Sequence, residues 1–329
     1  MLATTTIKEW LKHYQTNGVN LSITELLQYR HHSRGIDLSP KHPPQAGLAG
    51  AYVSRLKGRG MEFDESRHYQ AGDDIRAIDW RVTARTGKTH TKIFREERER
   101  PVYLFTDMSQ SMQFGSQFLL KSVQAAHITS LIAWSAISRG DKVGGVSFNA
   151  TTHRENKPRA RQASVLNQLN GLVALQNEPV PQSEQITDTA VSSFLDNCSR
   201  LSRLVKPGSL VWIISDFRHL DAASAAVIAD MQRHCEVRAC IVNDPMEIAL
   251  PEISQREALN VTDGDTTQTW VLGDTKTNEQ YALWAKTQLF HLSTLLEKAK
   301  ISIYSISSGS PILLQKFSRL DSRQLSEAL

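Results

Sequence analysis

The stretch Pro101 to Gly115, PVYLFTDMSQSMQFG, constrains this chain more than any other. Val102 to Thr106 is a short apolar run of strand-favouring side chains, Asp107-x-Ser109-x-Ser111 follows, and a long helical pattern comes next. A strand that passes through a polar loop into a helix is the unit of open α/β sheets, which place their sites at the carboxyl edge of the strands. Oxygen-bearing side chains at alternate positions of such a loop can turn toward one point above that edge. Asp and Ser offer hard oxygens, which suit Mg²⁺, Mn²⁺ or Ca²⁺ rather than Zn²⁺, and a single carboxylate leaves such an ion open to further ligands. The plainer reading has Ser109 or Ser111 capping the next helix and Asp107 facing the positive end of its dipole. On the motif alone, both readings stand.

The pattern downstream repeats the unit. An amphipathic helix is expected from Phe118 to Ser138, a buried strand from Asp141 to Asn149, and a more polar edge strand from Ala150 to Pro158. Helices over Ala163 to Leu175 and Ile186 to Leu204 precede a second apolar strand, Gly208 to Asp216, which also ends in an acid. A helix from Ala222 to Arg233, a strand from Cys235 to Val242, a helix from Tyr281 to Ala299, a strand from Ile301 to Ile306 and a short helix from Pro311 to Leu320 complete the series. A hairpin, Ala258 to Val261 with Thr267 to Leu272 around Asp263-Gly264, sits in an insertion near 244–277. This order predicts a doubly wound, mostly parallel α/β sheet over residues 101–320, preceded by a helical and β-rich extension over 1–100.

Within that extension, helical patterns run from Ile7 to Tyr14 and Ile23 to His32. From Lys57 to Arg85, arginines and acids interleave around Tyr69, Trp80 and a turn at Gly72, a composition suited to an Arg-carboxylate lattice with aromatic lids. Asp73, Asp74 and Asp79 could instead hold a metal for hydrolysis or phosphoryl chemistry. Arg85-Thr-Gly-Lys-Thr89 is no phosphate-binding loop, since Val82 stands where the first glycine is required and no apolar strand leads in. Lys92 to Arg98 reads as a charged strand whose only aromatic platform is Phe94, and nucleic acid is not an expected partner.

Several classes are excluded more broadly. No apolar run reaches the roughly 18 residues of a membrane span, and Met1 to Trp10 does not read as a signal peptide, so the expected compartment is the cytoplasm. Cys198, Cys235 and Cys240 lack zinc spacing and are expected as buried thiols. A net charge of +4 over 329 residues permits an acidic partner without requiring one.

Asp107-x-Ser109-x-Ser111, Thr187 and Ser215-Asp216 fall on loops at one edge of the expected sheet, and together they resemble the von Willebrand factor A domain with its metal-ion-dependent adhesion site. The resemblance implies that Ser109, Ser111 and Thr187 are ligands of a divalent cation, Mg²⁺ by preference, with Asp107 and Asp216 supplying charge and an acidic group of a partner completing the shell. Two positions depart from that pattern: Ile186 precedes Thr187 where glycine is common, and Phe217 stands where glycine often does. Thr189 is the alternative to Thr187. The segment Arg67-x-Tyr69-x-x-Gly72-Asp73-Asp74-x-Arg76-x-Ile78-Asp79-Trp80-x-x-x-Ala84-Arg85, with the later Asp244-Pro245-x-Glu247-x-x-x-Pro251, resembles the bacterial domain-of-unknown-function 58 family over about residues 45 to 320. That family is regarded as von Willebrand A-like and is typically encoded beside MoxR-type AAA+ ATPases.

The resemblance implies an adaptor or co-chaperone, not an enzyme, which bridges through a divalent cation to an acidic group on a MoxR-type ATPase or its client. A metal-dependent hydrolase or nuclease built on Asp73, Asp74 and Asp79 is the alternative from another class. A metal-free interaction domain of the same fold is the third reading.

Overall fold

A computed structural model of the chain describes residues 4–32, 36–38, 61–70, 72–96, 99–178, 186–251, 257–262, 267–317 and 319–320. In chain order the elements are α1 (Thr4–His13), α2 (Ile23–Leu27), β1 (Met61–His68), α3 (Trp80–Thr86), β2 (His90–Glu96), β3 (Pro101–Asp107), α4 (Lys121–Ser138), β4 (Lys142–Phe148) and β5 (His153–Arg159). They continue with α5 (Gln162–Asn177), α6 (Ile186–Leu204), β6 (Leu210–Ser215), α7 (Ala222–Gln232), β7 (Glu236–Asn243), α8 (Pro245–Ile248), β8 (Glu257–Thr262), β9 (Thr267–Leu272), α9 (Thr275–Lys298) and β10 (Ser302–Ser307).

Six strands form one sheet in the order β10-β7-β6-β3-β4-β5. All neighbours are parallel except β4 and β5, so the one antiparallel strand is the polar edge strand that the sequence predicts. The sheet is buried on both faces, and its central strands are continuous apolar runs for that reason. Their side chains alternate between two cores. Val102 and Leu104 of β3 join Trp212, Val242 and Tyr304 on one face, packed against α4 and α5. Tyr103 and Phe105 join Val211, Ile213 and Ile241 on the other, against Phe194 of α6, Met231 of α7 and Leu296 of α9. Helices on both faces of a mostly parallel sheet make the doubly wound α/β fold.

α4 has buried side chains almost all round its axis, Gln124, His127 and Ser130 included. A helix of this kind must be covered on the side that faces away from the sheet, and residues 18–32 and 36–38 do so. Leu21, Leu26, Tyr29, Ile36 and Leu38 belong to the same core as α4. Ser130 Oγ donates to Leu26 O at 2.7 Å, the Tyr29 hydroxyl lies 2.9 Å from His127 Nδ1, and Arg238 donates to Asp37 O at 2.8 Å.

The chain therefore divides differently from the expected break at residue 100. Met1–Pro40 groups with Arg100–Leu329, and Lys41–Glu99 forms a second compact unit. That unit contains an antiparallel pair, β1 with β2, and the α3 helix. β1 is a strand the sequence reading did not single out.

The expected helix over Pro311 to Leu320 is a second difference. Among the described residues of this span only Ile312–Leu314 turns, as a 3-10 helix. Gln315 donates to Ser307 O and Ser310 O at 2.7 Å, and Arg319 bridges Tyr304, so the segment lies along β10 rather than coiling. The β8–β9 hairpin matches its expected strands, while its Asp263-Gly264 turn lies outside the described residues. Among the described residues, no helix is long and apolar enough to cross a membrane.

Gly145 in β4 shows how closely the central strands approach. It pairs with Leu104 at a φ of +152°, and a Cβ at this position would lie 2.0 Å from Leu104 O. Gly145→Ala is expected to lower stability by about 3 kcal/mol through this overlap with backbone, read as a shift of the urea midpoint.

Candidate functional site

β3 and β6 are parallel neighbours in register, Thr106 opposite Ile214, so Asp107 and Ser215-Asp216 emerge side by side at the carboxyl edge. Asp107 is fully buried. Its Oδ1 accepts from Ser109 N at 2.9 Å and its Oδ2 from Ser215 Oγ at 2.6 Å. Ser109 Oγ and Ser111 Oγ lie 3.4 Å apart. Four of the five expected site residues, Asp107, Ser109, Ser111 and Asp216, thus share one place in the fold. Thr187 lies in the first turn of α6, which begins at Ile186 as expected, and its side chain is outside the described residues, as is that of Thr189.

The plain helix-cap reading of the two serines does not match this geometry. Ser109 precedes a single 3-10 turn, Gln110–Met112, without a side-chain cap bond, and α4 starts ten residues beyond Ser111 with Leu120 at its N-cap.

Sequence reasoning missed the most telling member of the site. Lys121, the first residue of α4, is completely buried, and its Nζ donates to Asp216 Oδ2 and to Glu247 Oε1, both at 2.7 Å. Arg218 Nη2 lies 3.2 Å from the same Glu247 oxygen. The clue was a lysine inside the apolar run Phe118 to Val123 at a helix N-terminus, where the dipole disfavours a cation. Glu247 was visible as part of Asp244-Pro245-x-Glu247. In the structure this string is the capping box of α8, with Asp244 and Glu247 bonding to each other's backbone N–H.

The two aspartates respond oppositely. Burial, then the negative charge of Asp216, pushes the Asp107 carboxyl above its ordinary range despite its bonds to Ser215 and Ser109. Burial acts upward on Asp216 too, but the Lys121 charge and hydrogen bond, with help from Arg218 N and the Ser111 hydroxyl, hold it below the usual carboxylate range. Asp107, Asp216 and Glu247 carry three negative charges when ionised, against two positive charges on Lys121 and Arg218. Hard oxygens and one surplus negative charge fit a divalent cation, which would offset both the burial and the Asp216 repulsion that raise Asp107. Among the described residues no three His, Cys, Asp or Glu side chains are grouped to hold a metal by themselves, so such an ion would depend on the Ser109 and Ser111 hydroxyls.

Phe217 stands where the pattern that the sequence resembles often has glycine. Its φ of +57° is the left-handed conformation for which glycine is favoured. Its N–H bonds to Ser215 Oγ at 2.9 Å and its ring is buried in the second core, so packing offsets the backbone cost.

Asp73, Asp74 and Asp79 belong to the other unit, where each is a local brace. Asp73 accepts from Arg67 Nη2 at 2.7 Å and Gln70 N at 2.9 Å. Asp74 caps the 3-10 turn Ile75–Ala77, and Asp79 caps α3 through Arg81 N and Val82 N while accepting from Ser66 Oγ. The backbone N–H of Gln70 holds Asp73 below the ordinary carboxylate range, and that of Val82 does the same for Asp79. Among the described residues the anticipated lattice is the Arg67–Asp73 pair plus these caps, and Trp80 is 68% exposed rather than a lid.

The family model described as "Protein of unknown function DUF58" matches residues 65–288. Uncharacterized proteins of Mycobacterium bovis and of Mycobacterium tuberculosis are each 29% identical over 220 residues, covering 67% of this chain and 67% of theirs. Among solved structures, the conserved hypothetical protein BatB from Bacteroides thetaiotaomicron aligns with a TM-score of 0.33 and 14% identity, covering 61% of this chain and 98% of that one. An aerotolerance-related membrane protein from Bacteroides fragilis aligns with a TM-score of 0.38 and 15% identity over 64% of this chain and 93% of its own.

Two outcomes follow from the charges. Lys121→Met is expected to cost about 3–5 kcal/mol by leaving buried carboxylates uncompensated, and adding Asp216→Asn should recover part of that loss in urea unfolding. Asp107 has a raised folded pKa, so its ionisation opposes folding as pH rises through that value. Asp107→Asn should therefore unfold at a higher temperature than the parent chain in chelator at neutral pH. The gap should close as the pH falls and Asp107 is protonated, as read from melting midpoints across the acid range.

Proposed function

The chain belongs to the family described as Protein of unknown function DUF58, and we propose that within it this protein is a cytoplasmic interaction module rather than an enzyme. Its contact point is the carboxyl edge of β3 and β6, where Ser109, Ser111, Asp107 and Asp216, with Thr187 as a further ligand, hold a divalent cation, Mg²⁺ by preference. An acidic side chain of the partner completes the shell, because a partially neutralised cation gains most from one more anionic oxygen. The partner we propose is a MoxR-type AAA+ ATPase or its client, on the strength of the motif resemblance given above.

The observation that carries this reading is the buried pair of carboxylates, Asp107 and Asp216, beside two hydroxyls at the edge where α/β sheets place their sites. A carboxylate lifted by burial first, and then by the charge of its neighbour, is a place where a cation lowers the energy of the folded chain. The metal-free reading draws on Lys121. Its ammonium, wholly buried and 2.7 Å from Asp216, already neutralises that carboxylate without any metal.

Calorimetric titration of the chelator-stripped chain separates the two. Mg²⁺ or Mn²⁺ is expected to bind saturably and weakly, with a dissociation constant on the order of 10⁻⁴ to 10⁻³ M for so few charged ligands. Ser111→Ala should weaken it by about tenfold or more, and Asp107→Asn should abolish it. Absence of heat with all three of Mg²⁺, Mn²⁺ and Ca²⁺ would leave the metal-free reading in its place.

A further inference from the structure

Beside the loop that carries Asp216, the structure forms a half-open cavity of about 600 Å³ between α9 and the carboxyl ends of β6 and β7. Its size is that of an ordinary small-molecule site. The α9 wall is one helical stripe, Trp284, Gln288, Leu292 and Leu295, at the spacing that places side chains on a single face. Trp284 is 53% and Leu295 46% exposed, so this stripe is only half covered by the protein itself.

The opposite wall is polar. Asn243, at the end of β7, is 9% exposed. Its Nδ2 donates to Ser305 Oγ at 2.9 Å, and its Oδ1 is buried without a partner among the described residues. His219 Nε2 on the same cavity is likewise buried and unpaired among the described residues. Native structures rarely leave such atoms unsatisfied. Asp216 and Glu247 also border the cavity, but Lys121 neutralises the first and Lys121 with Arg218 the second. Arg218, 57% exposed along its side chain, still has guanidinium N–H groups beyond the one directed at Glu247.

We propose that this cavity binds an amphipathic organic anion: an apolar ring or chain against Trp284 and Leu292, one N–H or O–H donor to Asn243 Oδ1, and an anionic head toward Arg218. The site shares Asp216 with the edge of the proposed cation site, but Trp284, Leu292, Asn243 and Arg218, which would hold the anion, are not among the cation ligands.

Anilinonaphthalene sulfonate has these three features and brightens when it leaves water. Titrated into the intact chain, it is expected to saturate at one equivalent. Arg218→Gln should weaken binding about tenfold, the scale of one charge-assisted hydrogen bond. N-phenylnaphthylamine keeps the rings and the N–H but lacks the sulfonate, and it should bind the parent chain about tenfold more weakly. Ala285→Leu, which fills the cavity from the buried side of α9, should abolish binding while circular dichroism reports a folded chain. If that variant does not fold, Arg218→Gln and the neutral probe decide alone. Asp107→Asn should leave the probe affinity unchanged even where it removes Mg²⁺ binding. Several equivalents bound, or equal affinity in the parent chain and Arg218→Gln, would overturn the proposal, as would equal affinity for the charged and neutral probes.

Discussion

The carboxyl edge of this sheet is organised by one buried ammonium. Lys121 opens α4, Asp216 follows β6 and Glu247 lies in α8 after β7, so a single side chain ties together the segments that leave three adjacent strands. Burying a lysine at a helix N-terminus is costly twice over, once in lost hydration and once against the dipole. Two carboxylates within 2.7 Å, one of them fully inside, are what make it tolerable. The arrangement fixes where Asp216 can point, and with it the charge that Asp107 feels. Lys121 lowers Asp216, and the Asp216 charge adds to the burial that already raises Asp107.

On the proposed cation reading, that placement sets stability against binding. A carboxylate held in its charged form by neither a cation nor a strong donor set is a liability in the isolated fold, and Asp107 is in this position beside Asp216. Substituting an amide removes the liability and leaves an oxygen that can still accept from Ser109 N. It also removes the charge that a hard cation requires. A residue whose best choice for folding differs from its best choice for ion binding is expected where function constrains sequence.

Much of the fold was legible because strand, loop and helix repeat with ordinary punctuation. The continuous apolar runs of β3 and β6 announced a parallel interior, and the acids that close them announced the edge. The strand series put Asp107, Ser109, Ser111 and Asp216 on loops at one edge, the von Willebrand A resemblance grouped them as a site, and the β3–β6 pairing brings them side by side. What escaped was long-range. Lys121 stands 95 residues from Asp216 and 126 from Glu247, and no local pattern pairs them. The membership of residues 1–40 escaped for a similar reason. Only the all-round burial of α4 demands a cover, and periodicity cannot say which segment provides it. The dense charges from Arg67 to Arg85 suggested chemistry, whereas Asp73, Asp74 and Asp79 are held by backbone N–H groups a few residues away.

Phe217 joins the two regions that the edge offers. Its N–H bonds to Ser215 Oγ, which donates in turn to Asp107. Its ring is buried in the second core beside β6 and β7. The left-handed turn at this residue lets the chain reverse, so that Asp216 faces Lys121 while Arg218 and His219 face the cavity. A glycine would permit the same turn without an anchor, and the loop would then be free to shift between the two sides. With phenylalanine the backbone strain is offset by a ring that cannot leave its core. The ring thus anchors the loop whose Asp216 faces Lys121 and whose Arg218 and His219 face the cavity, so one short segment serves both sides of the edge.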